Sequence, residues 1–171
     1  MENYIMFDGK KFELGAELAE LAEMLAQAVK QKAEMRSPFD RQAAGDLYYY
    51  IASDGGVVET DEELIEFDSE RYDVANYCTD KELMEQRALH ETLNRLLWRY
   101  SEQHGGDHPW TGIAVEHYLI YWDSLNYKLG VSVAGSCKDL GVVYFKDKAT
   151  AQKAIEEIVE PFVAAHPDFR W

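Results

Sequence analysis

DLYYYIASDGGVVETDEELIEFDSERYDVANYCTDKE, residues 46–82, decides how this chain is read. It opens with a strand over 47–52. Leu47, Tyr49 and Ile51 share one face, and Tyr48 and Tyr50 share the other. Aromatic side chains on both faces predict a strand covered on both sides, the alternative being one face left open for binding. Asp54-Gly55-Gly56 is a turn signal, and Val57-Val58 starts a returning strand. A block of acids follows: Asp54, Glu59, Asp61, Glu62, Glu63, Glu66, Asp68, Glu70 and Asp73. Arg71 is the one base among them, so the block nets −8 of the chain's −15. Carboxylates this dense repel one another unless they are solvated or met by a cation. Leu64, Ile65 and Phe67 interrupt the block and are expected to anchor it to the core. Thr79-Asp80-Lys81-Glu82 matches a capping box and starts a helix.

Downstream, that helix runs to Gln103 with Leu89, Leu93, Leu96, Leu97 and Tyr100 as its apolar stripe, and Leu83 one turn earlier. Strands are expected over 116–122, 127–133 and 140–145, with turns between them. Asp147 caps a last helix whose stripe is Ala151, Ala154, Ile155, Ile158 and Phe162, limited by Pro161. The tail over 166–171 is expected to pack through Phe169 or Trp171.

Upstream, Asp8-Gly9 is a hairpin turn between strands over 4–7 and 10–14. A helix over 15–35 carries Leu14, Leu18, Leu21, Leu25, Ala28 and Met35 at heptad spacing, with a polar break at Lys32. This seam either packs on the hairpin and main domain or pairs with a second copy as a homodimer. The expected organisation is 1–36 as hairpin plus heptad helix, 37–45 as linker and 46–171 as the main domain. The class is α+β: an N-terminal β-hairpin plus helix, then an antiparallel sheet of about five strands packed with two helices.

An apolar fraction of 47% over 171 residues supports a sizeable core and excludes a disordered chain despite the charge. The charge of −15 argues against direct binding to nucleic acid and suits a basic partner. Cys78 and Cys137 fit no zinc spacing and read as two buried free thiols. No signal-type apolar core and no run of ~18 apolar residues occurs, so a cytoplasmic, membrane-free protein is expected.

Several of these residues also form a pattern. Tyr48-Tyr49-Tyr50-Ile51 with Asp54-Gly55, then Arg71, then Asn76-Tyr77 with Thr79 and Glu82, lie in the first part. Val143-Tyr144-Phe145 followed by Ala151 and Ala154-Ile155-Glu156 lie in the last. This pattern resembles a family of small accessory proteins of phages and prophages of Gram-positive bacteria. The family's middle motif reads glycine, asparagine, tyrosine, phenylalanine, any residue, threonine; here Ala75 and Cys78 stand at the glycine and phenylalanine positions. The resemblance implies an accessory gene of a kind found beside inhibitors of host defence, such as anti-CRISPR proteins.

No phosphate-binding glycine loop, nucleophile elbow or zinc-protease motif is present. His104, Asp107 and His108 are a weak metal candidate in a Gly-Gly loop, and Asp61-Glu62-Glu63 lacks the spacing of a calcium loop. Pairing His117 with a carboxylate of the acidic block would make an acid/base site. No cofactor and no metal is expected. The reading that follows is a non-enzymatic, phage-type protein that inhibits a host nucleic-acid-handling protein, of anti-CRISPR or anti-restriction type. Its acidic block imitates spaced phosphates on a basic partner such as a CRISPR effector. Two alternatives stand beside it: an accessory assembly protein acting through homodimerisation, and a ligand-binding protein with a pocket lined by Tyr48, Tyr50, Tyr118 and Trp122.

Overall fold

The computed structural model describes residues 23–25, 37–111 and 115–171, together with the backbone of 4–7 and 10–13. The chain divides into two compact units, Met1–Arg41 and Gln42–Trp171. In the first, β1 (Tyr4–Phe7) and β2 (Lys10–Glu13) pair antiparallel, with Tyr4 opposite Glu13 and Phe7 opposite Lys10. Of the heptad seam, Leu25 lies in a described helical stretch and is exposed. Leu14, Leu18, Leu21, Ala28 and Met35 lie outside the described residues.

The second unit is α+β and is built along one helix. Its elements are β3 (Leu47–Ile51), β4 (Val57–Asp61), α1 (Glu66–Asp73), α2 (Lys81–Gln103), β5 (His117–Asp123), β6 (Lys128–Ala134) and β7 (Tyr144–Phe145). Then come α3 (Lys148–Ala154), a π-helical turn (Ile155–Val159) and α4 (Glu160–Ala165). The expected five strands are present but form two sheets. One is the β3–β4 hairpin; the other has the order β6-β5-β7, all antiparallel. Helix α2 explains the division. Its 23 residues span ~34 Å, enough length for two sheets side by side.

The first half of α2 puts Met84 and Ala88 against Ile51 and Cys78 of the small sheet. Its second half puts Leu93 and Tyr100 against the larger sheet and the C-terminal helix. Leu83, expected on the stripe, faces outward; Met84 and Ala88 hold the inner positions at that end. The helix cap is Asp80 rather than Thr79, its carboxylate accepting from Leu83 N–H at 3.0 Å. Asp147 caps α3 as expected, accepting from Thr150 N–H at 2.7 Å.

Past Ala154 the helix widens into the π turn, which adds a residue to one turn and brings Val159 into the core as well as Ile155. Pro161 follows within the first turn of α4, where its missing N–H is best tolerated. The tail packs through both of the residues expected to hold it. Phe169 is buried, and the Trp171 ring stacks on Trp122 at 5.0 Å. One strand expectation is shifted by a residue, to 128–134, and one is shortened. Tyr127 sits in the turn at φ 49°, and only Tyr144 and Phe145 of the third strand pair. Cys78 is buried, but Cys137 is exposed, correcting the expectation for that thiol.

Candidate functional site

Residues 46–78 form a hairpin, an irregular acidic stretch and a short helix, all tied to strand β3. The Asn76-Tyr77-Cys78 motif closes the unit as a surrogate third strand. Asn76 Oδ1 accepts from Ile51 N–H at 2.8 Å and its Nδ2 donates to Ile51 C=O at 2.9 Å. Two residues on, Cys78 and Tyr49 exchange backbone hydrogen bonds at 2.7 and 3.0 Å. Tyr77, between them, stacks its ring on Tyr48 at 4.0 Å. Ala75 precedes the motif at φ 56°, a left-handed conformation that glycine adopts without steric cost.

The acidic block divides into two populations. Glu62 and Asp68 are buried and internally bonded. Glu62 accepts from the Tyr77 hydroxyl and from Leu64 N–H, both at 2.9 Å. Asp68 accepts from the Tyr48 hydroxyl at 2.6 Å, from Glu63 N–H at 3.0 Å and from Ile65 N–H at 3.2 Å. Arg71 donates to the same Tyr48 hydroxyl at 2.6 Å and lies over the Tyr50 ring at 3.8 Å. These bonds answer the cost of burying polar groups.

Burial by itself would raise the Asp68 carboxyl. The Tyr48 hydroxyl, the two N–H groups and Arg71 outweigh it and hold the group below the usual carboxylate range. Burial and the hydrogen bond to Asp68 push Tyr48 up to about 12. Tyr77 is pushed up to about 12 by burial and by Glu62, against the Gln42 N–H that donates to its oxygen.

The remaining seven acids, Asp54, Glu59, Asp61, Glu63, Glu66, Glu70 and Asp73, are exposed. So are Leu64, Ile65 and Phe67, which reverses their expected role as anchors; Phe67 is 64% exposed. The cause is local. Helix α1 is held to the sheet by Asp68 and Arg71, three apart on one face, so its apolar residues are left on the other side. Phe67, Glu70 and Val74 follow helical spacing along that outer side, and Val74 is exposed too. The surface therefore alternates carboxylates with large apolar groups.

The other candidates resolve differently. His117 is buried and pairs through Nδ1 with Asp107 at 2.7 Å, not with the acidic block. Asp107 also accepts from Trp110 Nε1 at 2.7 Å and His108 N–H at 2.8 Å, while Trp110 stacks on the His117 ring at 3.7 Å. His104 Nδ1 lies 2.8 Å from Tyr100 C=O. Among the described residues no group of three or more histidines, cysteines or acids is placed to hold a metal ion. Tyr48, Tyr50, Tyr118 and Trp122 are engaged in separate contacts. The first two belong to the network above, Tyr118 bonds to Glu116, and Trp122 stacks on Trp171. Among the described residues no helix is long and apolar enough to cross a membrane.

Comparisons with protein-family models, with characterised proteins and with solved structures find no match. The resemblance to phage accessory proteins therefore rests on the quoted motifs alone.

Proposed function

We propose that the chain acts by binding rather than by catalysis, as a phage-type inhibitor of a host nucleic-acid-handling protein. The observation that carries this reading is the inversion over residues 62–68: Glu62 and Asp68 go inside, while Leu64, Ile65 and Phe67 come out among exposed acids. Leu64, Ile65 and Phe67 stand exposed together in one short stretch rather than scattered singly. Apolar groups rimmed by charge are what a protein interface presents. The buried hydrogen bonds of Glu62 and Asp68 tie down the backbone that carries the exposed carboxylates. Carboxylates carried this way suit a basic groove that otherwise grips phosphates, with the apolar residues adding contacts that a nucleic acid backbone lacks. The phage resemblance supports a host target.

The test is competition. The immobilised chain is offered Gram-positive host lysate. Retained proteins are identified, and their retention is measured against added duplex DNA and rising salt. A basic nucleic-acid-binding protein displaced by DNA, and lost when Asp61, Glu63, Glu66 and Glu70 are changed to lysine, is the expected result. Unchanged retention by that variant sinks the proposal. Glu62 is left out of the variant because its burial makes Glu62→Lys a folding defect rather than an interface probe.

A further inference from the structure

A second feature owes nothing to the acidic face. Between α2 and the larger sheet lies an open cleft of ≈ 270 Å³. Leu97 from the helix, Ile120 from β5 and Val143 give it an apolar part, backed by the buried Leu93 and Phe145, and polar atoms make up the rest of its lining. His90 and Asn94, one helical turn apart, stand at its lip, and Trp171 forms a wall. None of the seven exposed acids of residues 54–73 lines it.

We propose that this cleft is a binding site for a small, uncharged aromatic molecule. Its size sets the first limit. At ≈ 270 Å³ it falls just below the ~300–1,000 Å³ of sites for drug-sized ligands, so the occupant has one or two rings. Charge sets the second. The ionic groups nearby already answer one another: Glu91 bonds Arg87 at 2.8 Å and Arg95 at 3.4 Å. An ionised ligand would lose hydration over the apolar part without gaining a counter-ion.

Shape sets the third. Trp171 stacks on Trp122 at 5.0 Å and meets Phe169 edge-on at 5.0 Å, so the wall presents an aromatic plane. Asn94 Nδ2 donates to Gly141 C=O at 2.8 Å, which ties the helix to the 141–143 segment that lines the cleft. The Asn94 amide oxygen and the His90 ring supply hydrogen-bonding atoms at one edge. A flat apolar body with one polar edge satisfies all three limits.

The experiment is a two-dimensional NMR titration of the full chain with indole, and with benzoate as a charged ring compound. Indole is expected to saturate, with shifts centred on His90, Asn94, Ile120, Val143 and Trp171. Benzoate should bind roughly tenfold more weakly. Val143→Phe fills the cleft from a half-buried position and should weaken indole by roughly tenfold. His90→Ala, at an exposed position, tests the lip should Val143→Phe fail to fold, and is expected to weaken indole by roughly threefold. Absence of saturation, shifts centred elsewhere, benzoate binding as well as indole, or a folded variant of either kind with undiminished affinity overturns the proposal.

Discussion

The Tyr48 hydroxyl gives its proton to Asp68 and accepts one from Arg71, so a single oxygen joins strand β3 to helix α1. Tyr48→Phe leaves the buried carboxylate one donor short. It should cost ~1–3 kcal/mol, read as a lower midpoint in urea unfolding with an unchanged slope. The acid limb of stability follows from Asp68. Its folded pKa lies below the ordinary carboxylate value of 3.8, so its contribution is whole above that value and is lost as pH falls from there through the folded pKa. Denaturant midpoints between pH 5 and pH 2 should therefore fall more steeply in the wild type than in Asp68→Asn; parallel curves would remove Asp68 from the acid response. Ala75 gives a third expectation. At φ 56° it carries left-handed strain of ~1–2 kcal/mol, and Ala75→Gly should recover a fraction of it after glycine's larger entropy loss. Strand alternation paired Tyr48 with Tyr50 correctly. It could not name Asp68, because an acid in an acidic run reads as solvated until its donors are known.

Helix α1 shows where element-scale reading reverses. Three apolar residues among acids looked like anchors, yet the helix is fixed by polar bonds and shows its apolar side to solvent. Phe67→Ala should accordingly leave stability within ~0.5 kcal/mol of wild type and still weaken capture of the partner. A drop in stability well beyond that would return Phe67 to the core. On β6 the Gly130 position depends on its neighbour. A Cβ added there would meet the Tyr121 ring at 2.5 Å. Gly130→Ala must displace that ring, and the penalty should shrink in Gly130→Ala with Tyr121→Ala, a coupling that a double-mutant cycle measures. Helical period and capping residues made α2 and α3 legible, down to the end of α2 at Gln103 and the Asp147 cap. The inner register at the start of α2 escaped, since Leu83 and Met84 are equally apolar and the facing sheet decides between them. Val159 escaped because a π turn breaks the period on which a stripe is read.

For the whole molecule, α+β with five antiparallel strands downstream of the hairpin was readable from strand spacing and tight turns. Their separation into two sheets was not, because it depends on which strands share α2 rather than on any strand's own residues. A net charge of −15 also acts at this scale. Self-repulsion among exposed carboxylates should ease as salt rises from ~20 to ~300 mM, raising the thermal midpoint. The tail adds a different kind of consequence. Gln86 Nε2 donates to Asp168 C=O at 2.8 Å and Gln86 Oε1 accepts from Arg170 N–H at 2.9 Å, contacts separated by 82 and 84 residues. Closure over so long a span comes after local helix formation. This clasp, one side chain bonding two backbone groups near the surface, should close late on the folding path and come undone early on the way out. Its amides should exchange with solvent deuterium ahead of those in α2 itself, with Phe169 released from a helix that is still wound.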